Sequence, residues 1–139
     1  MYKITFLTLF PELFQEFLKT SIIKRAILDE KVEINIHNIR DYSLDPHKKV
    51  DDYQFGGGPG MVIGLQAICD CLDSIKTSTS KVVLLTPTGK QYSHQLAKKL
   101  LKTNHLILIC MKILSLYHLP KPLHFLSSFE LKNEIYFHL

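Results

Sequence analysis

Between Val50 and Met61 the chain reads VDDYQFGGGPGM, a stretch that gathers four of its six glycines (Gly56, Gly57, Gly58 and Gly60) around Pro59. Glycine adopts backbone angles closed to other residues and lets a ligand come within hydrogen-bonding reach of bare N–H groups. Pro59 stiffens the run, so it is not a slack tether. A tight surface turn is the plain alternative for any glycine cluster. Length argues against it: from Arg40 to Met61 no segment is convincingly periodic, and structureless stretches of about twenty residues in compact domains are usually functional or disordered. A binding loop is the better reading. It is not a nucleotide-phosphate fingerprint, because GGGPG matches neither GxGxxG nor GxxxxGK[ST].

The residues around the loop carry charge rather than obvious catalysts. Arg40, His47, Lys48 and Lys49 could neutralise phosphates beside it, and each is as readily read as part of a solvated charged loop. Asp51 and Asp52 are equally suited to capping or bracing the loop and to touching substrate. Cys69 and Cys71 read as helix residues on the core side and its flank, not as ligands or nucleophiles. No His, Cys, Asp and Glu cluster has metal-site spacing.

These residues need a scaffold, and composition bounds it. A chain of 139 residues is long enough for one cored domain and short for two. Hydrophobic residues at 46% and charged residues at 22% suit a globular protein that is soluble. The net charge of +4 fits a nucleic-acid partner without requiring one. Three cysteines with no CxxC pair and no even set point to a reduced, intracellular setting. The N-terminus carries Glu12 and Glu16 early and lacks the pattern of a signal peptide, and no apolar run is long enough to span a membrane.

The elements follow from periodicity. Lys3–Leu9 reads as a strand. Pro11 opens a helix with Leu13, Phe14, Phe17 and Leu18 on one face. Ser21 is placed to cap a second helix to Leu28 with Ile22, Ile23, Ala26 and Ile27 inward. Val32–Ile39 alternates strictly, as a strand does. Leu65, Ile68, Cys69, Leu72 and Ile75 repeat at helical spacing, and Lys81–Leu85 and His105–Cys110 are apolar runs expected of parallel strands covered on both sides. Thr86-Pro87-Thr88-Gly89 reads as a turn, after which Ser93 begins a helix carrying Leu96, Ala97, Leu100 and Leu101. The alternation predicts an α/β fold: a mostly parallel sheet with helices on both faces, ligands collecting beyond the carboxyl ends of the strands.

Taken together, FLTLFPELF, SIIKRAI, Asn38-Ile39-Arg40-Asp41, HKKVDDYQFGGGPGMV, LLTPTGKQ and LILIC resemble the bacterial tRNA (guanine-37-N1) methyltransferases of the SPOUT class, in that family's order and spacing. The match covers Met1 to Cys110, with Lys24 standing where family members usually carry glycine. The resemblance implies methyl transfer from S-adenosylmethionine to N1 of the guanosine 3′ of the anticodon, a trefoil-knotted methyltransferase domain, a homodimer, an anticodon stem-loop of tRNA as partner and a cytoplasmic setting. A magnesium ion is compatible with that chemistry and has no readable signature here. Leu84, Leu85, Thr86, Pro87 and Thr88 match the first knot loop, whose backbone faces the adenosine of the cosubstrate. Gly56, Gly57, Gly58, Pro59 and Gly60 match the loop that lies against the target guanosine. A guanine edge offers groups that bare backbone can read, and flipped bases need a close-fitting wall; single-stranded RNA loops are where base-specific recognition is feasible.

After Cys110 the resemblance ends. The family continues toward Tyr-Glu-Gly and the loops that close the knot, whereas this chain reads MKILSLYHLPKPLHFLSSFELKNEIYFHL. Residues 1–110 are accordingly read as the N-terminal part of a SPOUT domain truncated before the knot is completed, and residues 111–139 as a divergent tail. The C-terminal RNA-binding domain and the family's Arg and Asp are expected to be missing. No catalytic base is therefore assigned, and the chain is expected to be inactive alone, with a non-catalytic RNA- or nucleotide-binding fragment as the alternative. A DNA stretch such as TATGAAGATTTTGA reads Tyr-Glu-Asp-Phe in one frame and Met-Lys-Ile-Leu in another, so the tail is consistent with out-of-frame translation; a genuinely divergent C-terminus is the competing origin. Loss of the later strands is expected to leave Lys81–Leu85 and His105–Cys110 short of partners, with Glu134–His138 as a strand that could cover the edge.

Overall fold

The chain runs β1 (Tyr2–Thr8), α1 (Glu12–Leu18), α2 (Ser21–Leu28), β2 (Val32–Asn38), a 3₁₀ turn (Ile39–Tyr42), β3 (Asp51–Tyr53), β4 (Met61–Ile63), α3 (Leu65–Ile75), β5 (Ser80–Gln91), α4 (His94–Leu100), β6 (His105–Cys110) and β7 (Ile135–His138). The computed structural model describes residues 1–53, 61–110 and 135–138. The main sheet has the order β2-β1-β6-β5-β7 with every pairing parallel, while β3 and β4 form a separate antiparallel pair. The α/β architecture implied by the alternation is therefore the one observed.

Period-two alternation sorts each central strand between two layers. Leu7, Val82, Leu84, Ile107 and Ile109 point to one face, where Ala67, Ile68 and Cys71 of α3 cover them. Val83, Leu106 and the flanking Leu85 and Leu108 point to the other, against Leu96 and Leu100 of α4. Phe6, in register with Leu108, stacks its ring on Phe14 of α1 at 4.7 Å between centroids, so α1 shares the α4 face. Both faces of the sheet are covered, which is why His105–Cys110 reads as an unbroken apolar run.

Several expectations are corrected in detail. The first two helices bury less than their periodicity suggests: Leu13 is 70% and Ile22 77% exposed, and only Phe14, Leu18, Ile23, Ala26 and Ile27 are half-buried. On α3 it is Cys71 that is fully buried, while Cys69 sits half-buried at the flank. Ser21 is the first residue of α2 rather than its cap; Thr20 precedes it, and its hydroxyl donates back to the Phe17 carbonyl. Ser93 does cap α4, its Oγ accepting from the Leu96 N–H.

The sheet edge also differs. β6 lies between β1 and β5, and β5 between β6 and β7, so neither lacks a partner. Ile135–His138 takes the outer position beside β5, close to the strand expected at the chain's end. Thr86–Gly89, expected as a turn, lies within β5. Even so, Leu85 and Lys90 both register against Phe137, so the residues between them fall outside that ladder.

Candidate functional site

Because the main strands are all parallel, the segments leaving β2 and β5 emerge at the same edge of the sheet. From β2 the chain enters the 3₁₀ turn, whose start is capped by Asn38 Oδ1 accepting the Arg40 N–H at 3.0 Å. Tyr42 follows as a junction. Its hydroxyl lies 3.0 Å from His37 Nδ1 on β2 and accepts from Ser74 Oγ of α3 at 3.2 Å. Strand, turn and helix are thereby fastened together below the site.

The strap from Ser43 to Val50 is organised by Asp45, which sequence reading passed over. Its Oδ1 accepts the N–H of His47 at 2.8 Å and of Lys49 at 3.4 Å, and its carbonyl accepts the Lys48 N–H at 2.9 Å. The Asp45-Pro46 dipeptide was the available signal, since Asp before Pro favours turn initiation. Lys48 sits at φ 55°, in the left-handed region, and its Nζ pairs with Asp41 at 2.7 Å. That pair commits one of the phosphate candidates to the strap itself. His47 and Lys49 remain on the exposed side, and Arg40 is half-buried.

Val50, 5% exposed, carries the strap into β3, and its carbonyl accepts the Gly64 N–H at 2.6 Å. The bond closes the base of the β3–β4 hairpin, in which Asp51 registers with Ile63 and Tyr53 with Met61. The strands on either side of the glycine loop are thus paired with each other. Gly56, Gly57, Gly58, Pro59 and Gly60 themselves lie outside the described residues. A cleft of about 370 Å³ beside the hairpin base is lined by Ser43, Asp45, Lys49, Asp51 and Gln66 among others.

On the β5 side, Leu84 is buried in the same cluster as Val50 and Ile39, so the hairpin base and the start of the LLTPT segment share one core. Leu85 turns to the opposite face. These two side chains are packing, which leaves backbone for any ligand. The β6 ladder reaches Leu84 and the β7 ladder skips from Leu85 to Lys90, so the backbone of Thr86, Pro87 and Thr88 stands outside both.

No thiol here is poised for attack. Burial pushes Cys71 up to about 11, against a hydrogen bond from Tyr42 that lowers it, and burial alone pushes Cys110 up to about 11. Cys69 is raised by burial and by the nearby Asp73 and Asp70 carboxylates. Among the described residues no group of His, Cys, Asp and Glu could hold a metal ion.

The arrangement of a glycine-bearing hairpin and a ladder-free backbone segment at one sheet edge coincides with a family match over nearly all of the described chain: residues 2–114 fit the family model of tRNA (guanine-1)-methyltransferase TrmD. The chain belongs to this family. Its relatives include the tRNA (guanine-N(1)-)-methyltransferase of Malacoplasma penetrans, 56% identical over 108 residues that make up 78% of this chain and 48% of the relative. Proteins of the same name from Spiroplasma kunkelii (48% identical, 79% of this chain, 42% of the relative) and Clostridium tetani (48% identical, 78% and 46%) match similarly. The chain spans about half the length of the curated relatives it matches. For a member of the TrmD family, the resemblance carried by the glycine loop and LLTPT is thereby established at the level of the family. Among the described residues no helix is long and apolar enough to cross a membrane.

Proposed function

We propose that this chain contributes the guanosine-facing and cosubstrate-facing loops of a tRNA (guanine-37-N1) methyltransferase, acting on the guanosine 3′ of the anticodon. The observation that carries the reading is that Val50 and Leu84 belong to one buried cluster, so the strand entering the glycine segment and β5 share a core. Family membership supplies the reaction class.

When bound, S-adenosylmethionine supplies a methyl group on a sulfonium. The backbone of Leu84–Thr88 fits the adenosine end, because its groups beyond Leu85 are not consumed by the β6 or β7 ladders. Gly56, Gly57, Gly58, Pro59 and Gly60 provide a bare wall for the guanine, and the Asp45-ordered strap presents His47 and Lys49 to the RNA backbone beside it. Lys48 stands 2.7 Å from the Asp41 carboxylate, which offsets its charge there. No residue of this chain is assigned as the base that takes the N1 proton.

The natural partner besides tRNA is a second copy. Phe10, Leu13, Phe17 and Leu28 leave apolar side chains on the exposed surface of the α1–α2 layer, a feature suited to an interface. The proposed setting is the cytoplasm, where unmodified tRNA and the donor meet. For the segment from Met111 onward we retain an out-of-frame origin as the proposal, which the coding DNA beyond the Cys110 codon decides.

The test is binding of S-adenosylmethionine and of an unmodified anticodon stem-loop by calorimetry, together with methyl transfer from labelled donor. Gly57→Val should weaken RNA binding at least tenfold. Undiminished affinity for both ligands after that substitution would remove the basis of the reading.

A further inference from the structure

The outward side of α4 carries a cationic stripe. His94 and Lys98 stand one helical turn apart, Lys99 lies beside them, and Lys102 follows in the turn that ends the helix; all four are exposed. No acidic residue occurs between Gln91 and Asn104. Among the described residues, Lys3, Lys19, Lys31 and Lys48 each stand within ion-pair distance of a carboxylate, whereas these four do not. Lysines in a last turn favour the helix C-terminus, which accounts for Lys98 and Lys99. It does not account for Lys102, which lies beyond the last residue of the helix, Leu100.

Tyr92 adds a second kind of group. It lies between the end of β5 and the Ser93 cap, is 55% exposed, and borders an apolar hollow of about 440 Å³ that also includes Ala97 and Leu101. An exposed aromatic ring next to a row of cations matches what unpaired RNA offers, a base to stack and phosphates to neutralise. The seven residues of α4 rise roughly 10 Å, long enough to lie beside a short run of unpaired nucleotides.

We propose that Tyr92 and the lysines of α4 form an auxiliary RNA-tracking surface, which leads the single-stranded part of the substrate from the carboxyl edge of the sheet, at Tyr92, back toward its amino edge, at Lys102. The proposal rests on the tRNA reading above and names a contact outside its site. Tyr92 and Ser93 separate β5 from α4, so an RNA strand lying against the LLTPT segment would meet Tyr92 before the lysines, which follow α4 back along the sheet. An anionic membrane is the less suited partner, because α4 has only seven residues and surface-bound amphipathic helices are typically far longer.

The test measures affinity of the 139-residue chain for an unmodified anticodon stem-loop across a salt series. The triple variant Lys98→Gln, Lys99→Gln, Lys102→Gln is compared with a charge-matched control, Lys19→Gln, Lys24→Gln, Lys31→Gln. The α4 variant should lose tenfold or more at low salt, with the log–log salt slope reduced by about 2, given ~0.7 per phosphate contact on a single strand. The control should keep the parent slope. Tyr92→Ala should weaken binding at all salt concentrations with the slope unchanged, and Tyr92→Phe should restore it. Replacing the three lysines by arginine should keep the slope, which separates charge from folding.

Equal slopes for the α4 variant and the control overturn the proposal; if Gly57→Val still weakens binding, the tRNA reading stands without it. Absence of RNA binding by the unaltered chain also overturns the proposal, and S-adenosylmethionine binding by the same sample then reports on the reading separately. Loss of binding to phosphatidylglycerol vesicles with RNA affinity intact assigns the stripe to an anionic surface instead, and likewise refutes it.

Discussion

Thr5 of β1 and His105 of β6 meet side chain to side chain, Oγ1 to Nε2 at 2.8 Å, and Ser80 Oγ stands 2.8 Å from the other ring nitrogen. Thr5 is 1% and His105 6% exposed, so the imidazole spans β1, β6 and β5 as an internal tie whose two nitrogens are both partnered by hydroxyls. A hydroxyl can donate or accept, so the neutral ring is satisfied in either tautomer.

Burial holds His105 below the ordinary imidazole range, Lys3 acts in the same direction, and Glu33 opposes both. The folded state therefore binds fewer protons at this site than the unfolded chain does. Stability from this group is complete above the unfolded value near 6.5 and falls as pH drops toward the lower folded value. Urea midpoints measured between pH 7.5 and pH 5 should decline in the parent and decline less steeply in His105→Gln. Parallel slopes would refute the assignment.

Cys71 and Cys110 should resist alkylation while the chain is folded. Displacement from the ordinary value of 9.0 to about 11 leaves about a hundredfold less thiolate at a given pH, and it is the thiolate that reacts. A thiol reagent at pH 8 should label these positions far faster in urea than in buffer, as read by peptide mass. Equal rates in the two conditions would show that they are not enclosed.

Lys48 occupies a left-handed backbone conformation that costs a β-branched residue roughly 1–2 kcal/mol. Lys48→Ile should lower stability by about that amount. Lys48→Gly should stay within about 1 kcal/mol of the parent, since the exposed pair with Asp41 is of the kind worth about 0–1 kcal/mol. Denaturant midpoints of the two variants distinguish the effects, and the reverse order would contradict the strap geometry.

Ile107 is fully buried at the middle of the sheet, so Ile107→Ala should cost about 2–5 kcal/mol. Leu13→Ala, measured at concentrations where the chain is monomeric, should change stability by no more than about 0.5 kcal/mol. Comparable losses would mean that the α1 surface is covered within a single copy.

Local pattern carried much of the scaffold. The span of α2, the extent of β6 and the start of α4 at Ser93 were legible because each depends on residues within one or two turns of one another. The strap was not legible as structure: its order comes from one carboxylate accepting backbone N–H groups two and four residues on, a geometry with no hydrophobic period to betray it. The β3–β4 hairpin escaped notice for a related reason, since each arm is three residues long, too short for alternation to register.

The family and the α/β class were determined by sequence alone, because glycine spacing and apolar periodicity are properties of neighbouring residues. Tertiary structure decided which strands became neighbours, that β5 is flanked on both sides, that Lys48 pairs with Asp41, and that Phe14 rather than Leu13 of α1 packs on the sheet, against Phe6. Those outcomes depend on contacts between segments far apart in the chain. Their strength depends on burial and distance, which exist only once the sheet has closed around its core.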